Sequence, residues 1–399
     1  MAVAELVEPM IGFAILTSEE GASSLPLVLA AWIDVTLFCR TYGNKKATKA
    51  YEAWLGERIP LIDADLRVKH QRMAQSPFPF LRATFYRWVE LWPEVCPELA
   101  TAPVVLGVGD LHVENFGTWR DGEGRVIWGV NDFDEVASIP YANDLVRLAV
   151  SAKLAISEHH LCCDPTDACD AILAGYREGL GKGGRPFVLA EQHGWLRDLA
   201  TGELRDPVLY WQKLNQLPTM RAGLPVAIKA ALNKALPAIA LPFRVVHRQA
   251  GLGSLGRRRF TALAEWRDGC IAREAKELVV SAWHWKTGNR GRTGILYQQA
   301  MDQAVRVADP FVSVNGHWLV RRLAPDCSRI ELGSLPRTKE ELKLLHAMGW
   351  ETANIHLGSK ATVHRVLRDL NQRPGKWLRR GADTMAKATL EDWKGWAKS

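Results

Sequence analysis

Several things are missing from this chain, and each absence removes a class of protein. No secretory leader is readable. The first basic residue is Arg40, and Glu5 and Glu8 precede the apolar stretch that follows, so the positive start of a signal peptide is lacking. No run of membrane-spanning length occurs. Pro26 to Cys39 is apolar but short and is interrupted by Asp34, below the roughly 20 residues a spanning helix requires; a buried helix over Leu27–Cys39 is expected. The seven cysteines form no regular framework, which fits a reducing cytoplasm rather than a disulfide scaffold. His159, His160, Cys162, Cys163 and Cys169 are zinc-ligand types in close order. They lack a second ligand pair at finger or ribbon spacing. Asp164-Pro165-Thr166 there reads as a helix start, with Asp164 as its cap. No internal repeat stands out. The composition of a disordered chain is also absent: 47% of the 399 residues are hydrophobic and 24% charged, ordinary globular usage, so disorder is not the default reading.

What is present is uneven. The net charge is +7. Between Lys360 and Ser399 ten Lys or Arg face four Asp or Glu, a net +6. The basic excess therefore belongs to the C-terminal tail 360–399, which also carries Trp377, Trp393 and Trp396. Such a tail can bind nucleic acid or an anionic surface; the plainer reading is a helical end with a solvated basic face. The sixteen Trp suit cores and a cleft.

Element signals divide the chain. Residues 1–100 read as mostly helical, with helices expected at Lys46–Leu55 and from Ser76-Pro77 through Val89. Pro97 and Pro103 precede a strand at Val104–Val108. Two strands, near Gly117–Trp119 and Val126–Val130, flank the turn Asp121-Gly122-Glu123-Gly124. Asn143 or Asp144 then caps a helix to about Ser157, and helical patterns continue to about Lys234. From Phe243 the pattern turns to strands: Arg244–Arg248, then Phe260–Trp266 and Cys270–Ala275 around Arg267-Asp268-Gly269, then Val312–Val314 and Trp318–Arg322 around Asn315-Gly316. Helix returns from Glu340 to about Leu357.

The chemistry concentrates in one stretch. Gly109-Asp110-Leu111-His112-Val113-Glu114-Asn115 is followed by Asn131-Asp132-Phe133-Asp134-Glu135. An acid, an amide five residues on, and a second acid beyond a short hairpin is the layout phosphoryl transfer needs. Asp110 accepts or orients the proton of the attacking hydroxyl. Asn115 and Asp132 hold Mg²⁺. Asp134 and Glu135 are either further ligands or solvated acids. His112 either orients Asp110, touches a phosphate, or packs.

Gly251, Gly253 and Gly256 form G-x-G-x-x-G, with Ser254 inside it. Glycines let a backbone approach phosphate, whose oxygens then meet N–H groups. A kinase-type loop needs a strand on each side and a cation on the next strand. A dinucleotide loop needs a helix after it and an acid about 20 residues on. A ligand-free turn is the third reading. The early Arg267-Asp268-Gly269 turn leaves no room for a full crossover helix, which favours the kinase type. The strand cation is Arg273 or Lys276, which face opposite sides of a strand. Glu274 pairs with one of them or lies on the surface.

Taken together these residues resemble a known group. Gly109 to Asn115 is similar to the catalytic loop of aminoglycoside and choline phosphotransferases, of the protein-kinase-like fold. The wider pattern resembles an uncharacterised bacterial family, domain-of-unknown-function family 2252. Its marks here are Arg72-Met73, Ser76-Pro77-Phe78-Pro79-Phe80-Leu81-Arg82, the Asp110 loop, Asn131 to Glu135, Asp144-Leu145-Val146-Arg147-Leu148, Gly251 to Gly256 and Arg273-Glu274-Ala275-Lys276. The resemblance implies Asp110 as catalytic base, Asn115 and Asp132 as metal ligands, and the glycine loop over a triphosphate. The order is reversed, with the catalytic loop ahead of the glycine loop, as in a circular permutation.

The expected fold is α+β, a permuted kinase-like arrangement of two lobes. Residues 1–242 would form a helical large lobe with the catalytic and metal loops, 243–335 a small antiparallel β lobe, and 336–399 helices packing on the large lobe. The expected function is an ATP- and Mg²⁺-dependent phosphotransferase acting on a small hydroxyl-bearing acceptor. The alternatives are a nucleotide-binding pseudokinase, a nucleotidyl transferase, or a nucleic-acid or anionic-surface binder acting through the tail.

Overall fold

The structure, a computed structural model, describes residues 43–201, 206–221, 223–288, 294–327 and 340–398. The helix expected at Leu27–Cys39 lies outside them. Among the described residues the chain is a mixed α+β fold with three small antiparallel sheets. These residues begin with α1 (43–56), α2 (Asp63–Gln75), α3 (Pro77–Ala83), α4 (Phe85–Val95) and the short α5 (Pro97–Ala100). Strands β1 (Val104–Gly107), β2 (Phe116–Arg120), β3 (Val126–Val130) and β4 (Ala137–Pro140) follow, then α6 (Tyr141–Ser157) and α7 (Pro165–Gly181). Next come β5 (Phe187–Val188), α8 (Gly194–Thr201), α9 (Pro207–Asn215) and α10 (Val226–Ala235). The second half holds β6 (Arg244–Val246), β7 (Arg259–Trp266), β8 (Gly269–Glu277), α11 (Ala282–Thr287), α12 (Tyr297–Gln303), β9 (Ser313–Asn315) and β10 (Trp318–Leu323). It ends with α13 (Glu341–His356), α14 (Val363–Gln372) and α15 (Trp377–Ala397).

Helix α6 is the centre of the helical body. Fourteen of its residues are buried, so it is enclosed all round, the pattern of a core helix rather than an amphipathic one, with the polar Asn143, Asp144, Arg147 and Ser151 among them. Helices α7, α13 and α15 surround it. α7 and α13 approach closely because two glycines face backbone: a Cβ at Gly175 would lie 1.9 Å from the His346 carbonyl oxygen, and one at Gly349 2.0 Å from that of Ile172. The tail is part of this body. Trp377, Leu378 and Met385 of α15 are buried in the core, while Arg365, Arg368, Lys376 and Arg380 stay exposed.

The largest sheet has the order β6-β7-β8-β10-β9. Its two faces differ. Phe260, Ala275 and Val320 pack on Ile228 and Leu232 of α10. Leu263, Ala272 and Leu323, on the other face, pack on Leu214 of α9.

The local turn signals hold. Arg267 and Asp268 take positive φ, 49° and 63°, which fits the two-residue turn that joins β7 and β8. Asp164 does cap α7, accepting from the N–H groups of Thr166 and Asp167 at 2.6 and 3.3 Å.

Three expectations need correction. The helix from Pro77 is two helices, α3 and α4, broken at Thr84. Its hydroxyl donates to the Phe80 carbonyl at 2.7 Å, and its φ of −124° leaves the helical range. The strand at Arg244 ends at Val246, because His247 and Arg248 leave the sheet to bond Asp65 and Glu274. Neither Asn143 nor Asp144 caps α6, which starts at Tyr141 after Pro140 with no side-chain cap.

Candidate active site

The first wall of the site is the loop between β1 and β2. Gly109 has φ +82°, and a Cβ there would sit 2.2 Å from the Glu135 carbonyl oxygen; only glycine allows the loop to pass so close. The backbone N–H groups of Val108 and Gly109 donate to the Asp144 carboxylate at 2.7 and 2.9 Å. His356 of α13 lies 3.0 Å from the same carboxylate. Asp144, one turn into α6, therefore fixes the backbone that delivers Asp110.

Asp110 is held by Arg147, also from α6. Nε of Arg147 donates to Oδ1 at 2.9 Å, and Nη2 donates to the same oxygen. Arg147 is fully buried. Its guanidinium lies over the rings of Phe85 and Trp88, at 5.0 and 4.9 Å, and donates to the Leu81 carbonyl at 2.8 Å. Burial raises the Asp110 pKa above the ordinary carboxylate value, and the Arg147 charge opposes that without cancelling it. Orientation of Asp110 thus comes from Arg147. The His112 ring instead serves its own loop: Nδ1 accepts from the Glu114 N–H at 3.2 Å. The His112 N–H donates to the Asn115 side-chain oxygen at 2.9 Å, and the Asn131 N–H donates to the Asn115 carbonyl at 2.9 Å. Asn115 therefore ties the Asp110 loop to the end of β3.

That strand end carries the acids. Lys276 of β8 lies 2.5 Å from Asp134 Oδ2 and 3.5 Å from Asp132 Oδ1. Arg257 lies 3.7 Å from Asp134 and donates to Glu135 at 3.0 Å. Burial would raise Asp132, but the charges of Lys276 and Arg321 outweigh it and hold the carboxyl below its ordinary value. Burial and the neighbouring Asp132 charge push Asp134 up. Glu135 is a packing acid: it also accepts from the Ala282 N–H at 2.7 Å, at the start of α11.

The second wall is the glycine turn after β6. Gly251 has φ +73°, and Leu252–Ser254 form a 3-10 turn. Lys69 of α2 donates to the Gly253 carbonyl at 3.2 Å; burial lowers its pKa to about 8. A Cβ at Gly253 would lie 3.4 Å from Asp110 Oδ2. The two walls therefore meet at Gly253 and Asp110. Ser254 donates back to the Gly251 carbonyl and accepts from Arg259, both at 3.2 Å. Gly256 instead packs on α2: its missing Cβ would stand 2.5 Å from Leu66, and its carbonyl accepts from the Ile62 N–H.

The strand cation resolves by register. Lys276 shares a face with Leu263 and Ala272 and reaches the acids. Arg273 is on the opposite face, donating to the Ala235 carbonyl at 2.7 Å with Phe311 beneath it at 4.9 Å. Glu274 pairs with neither. It is fully buried between Arg248, Arg259 and Arg321. Both walls open on one cleft of about 1520 Å³, lined by Asp110, His112, Asn115, Asp132, Asp134, Gly251, Gly253 and Ser254 among others.

The residues fit a divalent cation in one respect. Asp134 Oδ1 is buried and has no hydrogen-bond partner, and a lone buried carboxylate oxygen is the kind of atom a hard cation satisfies. The candidate set is two carboxylates and an amide. Among the described residues no group of three or more His, Cys, Asp or Glu is placed to hold a metal, the His159–Cys169 stretch included.

Sequence reasoning missed Arg147 as partner of Asp110, Lys69 as support of the glycine turn, and Arg257 as partner of Asp134 and Glu135. A signal for Arg147 was present: it is a lone cation inside the apolar run Leu145-Val146-Arg147-Leu148-Ala149-Val150, and a buried charge needs a partner.

Residues 61–193, about a third of the chain, match a family described as an uncharacterized protein conserved in bacteria, DUF2252. The matched stretch holds Asp110, Asn115, Asp132, Asp134 and Arg147; the glycine turn and Lys276 lie beyond it. Neither the curated proteins nor the solved structures give a match.

Proposed function

We propose that this protein is an ATP- and Mg²⁺-dependent phosphotransferase acting on a small hydroxyl-bearing acceptor. One observation carries the reading. A glycine turn meets Asp110 in one cleft that Asp132 and Asp134 also line, and Lys276, buried behind that cleft on the same sheet, pairs with both acids. Phosphate-cradling backbone, a phosphate-directed cation and metal-type acids are thereby brought together. On this reading the architecture is a permuted kinase-like one, and one contact favours it. The chain leaves β10 and later forms α13, whose far end lies beside β1: the Leu106 N–H donates to Ser359 at 2.7 Å. In the unpermuted order α13 would run directly into the catalytic loop.

The chemistry follows from the side chains. Asp110 Oδ1 is committed to Arg147, so Oδ2, which faces Gly253, receives the proton of the acceptor hydroxyl. The hydroxyl oxygen forms a bond to the γ-phosphorus. The bond from that phosphorus to the β–γ bridging oxygen breaks, and its electron pair leaves with ADP. Asp132, with Asn115 and Asp134, would hold Mg²⁺, which neutralises phosphate charge when bound. Lys276, between Asp132 and Asp134, is positioned to exchange one carboxylate for a phosphate oxygen.

The test needs no acceptor. ATP with Mg²⁺ is expected to raise the melting temperature of the wild-type protein, since a ligand that binds only the folded state stabilises it. Asp132→Asn is expected to lose that rise. A wild-type melting curve unmoved by millimolar ATP and Mg²⁺ would overturn the reading. A gain of phosphate or of AMP on the product then separates phosphoryl from nucleotidyl transfer.

A further inference from the structure

We propose that Arg248 and Arg321 form an anion subsite in the cleft, built to take a phosphate group at a position separate from Lys276 and Asp132. The inference rests on the ATP reading only for the source of that phosphate, not for the site itself.

The geometry begins with Glu274, which is 0% exposed. Arg321 gives it two bonds, 3.0 and 2.8 Å, both to Oε1. Arg248 gives it two, 3.2 and 2.7 Å, both to Oε2. Arg259 adds a third guanidinium. One arginine is enough to neutralise a buried glutamate; this one has three, an excess that Asp132 and Asp309 meet through space, with no hydrogen bond to Arg248 or Arg321 among the described residues. Excess positive charge facing a half-enclosed space favours an anion there.

The three arginines are not equivalent. Arg259 is only 4% exposed and also holds the glycine turn, through the Ala250 carbonyl and Ser254. Arg248 and Arg321 line the cleft with side chains 26% and 23% exposed. Each spends Nε and Nη2 on Glu274 and leaves Nη1 uncommitted. A guanidinium with one edge fixed by a carboxylate and the other open is a pre-set donor for phosphate oxygens.

A packing role alone does not account for the charge. Along the same sheet face, one register step away, Leu263, Ala272 and Leu323 pack on α9 with no charge at all. The face changes from apolar to cationic towards Lys276, at the point where it stops being covered by α9 and meets the cleft.

The probe is inorganic tripolyphosphate, titrated calorimetrically into the full chain with EDTA present, so that no metal mediates binding. Wild type is expected to bind, with affinity falling as salt rises. Arg321→Gln and Arg248→Gln are each expected to weaken binding at least tenfold. Arg248 lies outside the sheet strands, so its variant keeps the test alive if Arg321→Gln does not fold. Arg267→Gln, at the β7–β8 turn away from the cleft, controls for net charge and is expected to bind as wild type. No wild-type binding, or equal binding by wild type and both cleft variants, overturns the subsite. Repeating the titration with saturating ATP and Mg²⁺ identifies the source. Competition assigns the phosphate to the nucleotide's own tail; simultaneous binding assigns it to the acceptor. A failed ATP melting shift with intact, arginine-dependent tripolyphosphate binding would sink the ATP reading and leave the subsite standing.

Discussion

Asp110 and the Asp132–Asp134 pair face one cleft, but they take their cations from different places. Asp110 draws Arg147 from α6, in its own helical wall, and that arginine is buried among Phe85, Trp88 and the Leu81 carbonyl. Asp132 and Asp134 draw Lys276 and Arg257 from the opposite wall, the sheet and the end of its glycine turn. The first arrangement fixes an acid whatever the sheet does. The second exists only while the walls are together. The contrast teaches that Asp110 is preset by the helical body, whereas Asp132 and Asp134 are charge-balanced by cations of the facing sheet and turn.

The sharpest way to break this comparison is at Asp110. Asp110→Asn is expected to lower turnover about 10²–10⁴-fold, the usual range for a lost general base, while the ATP and Mg²⁺ melting shift persists. Wild-type turnover in that variant would remove Asp110 from the chemistry. Next in size come the partners. Arg147→Met leaves the half-buried Asp110 without its hydrogen-bonded cation and is expected to cost about 3 kcal/mol in urea unfolding. Lys276→Met should cost less, about 1–3 kcal/mol, because Arg257 still stands near Asp134. Equal losses in the two variants would mean that both walls hold their acids in the same way.

A pH experiment tests whether the helical wall also reaches Asp132. Glu351 of α13 accepts from the Val130 N–H at 3.2 Å, and Arg306 donates to the Val130 carbonyl at 3.1 Å, two residues before Asp132. Burial raises the Glu351 pKa from its ordinary 4.5 to about 7. Between those values the folded protein binds more protons than the unfolded chain, so stability falls as pH rises across the window. The fall is roughly 3 kcal/mol. Glu351→Gln is expected to flatten that part of the stability profile. An unchanged slope in the variant would place the titration elsewhere.

What could be read from sequence follows the range of the interactions involved. The Arg267-Asp268-Gly269 and Asn315-Gly316 turns and the Asp164 cap are decided by neighbours in the chain, and they were legible. The grouping of Asp110, Asn115 and Asp132 was legible because a loop and one hairpin carry all three. The choice between Arg273 and Lys276 was not. Strand alternation says that they diverge, but which face looks into the cleft depends on α9 and α10, which cover the sheet from outside its own sequence. Asp144 has the composition of a cap and the location of one, yet its carboxylate is taken by backbone from β1. Glu274 could not be assigned until β6, β7 and β10 brought three arginines to it.

The smallest expected effect tests the contact between the walls themselves. Gly253 does not have positive φ, so alanine is free to adopt its backbone conformation. The obstacle is local. The new Cβ would lie 3.1 Å from the Arg82 carbonyl oxygen and 3.4 Å from Asp110 Oδ2, so the turn must move by a few tenths of an ångström. Stability should change by less than about 1 kcal/mol. On the proposed mechanism turnover should fall about tenfold, because the methyl stands against Asp110 Oδ2, the oxygen assigned to the acceptor proton, and small misplacements at a reacting centre are costly. Gly122→Ala, with nothing within 4 Å of its Cβ, is the matched control and should leave both quantities unchanged. If Gly253→Ala turns over like that control, Asp110 does not use the oxygen facing the glycine turn, and the proton must leave by the side of the carboxylate that Arg147 occupies.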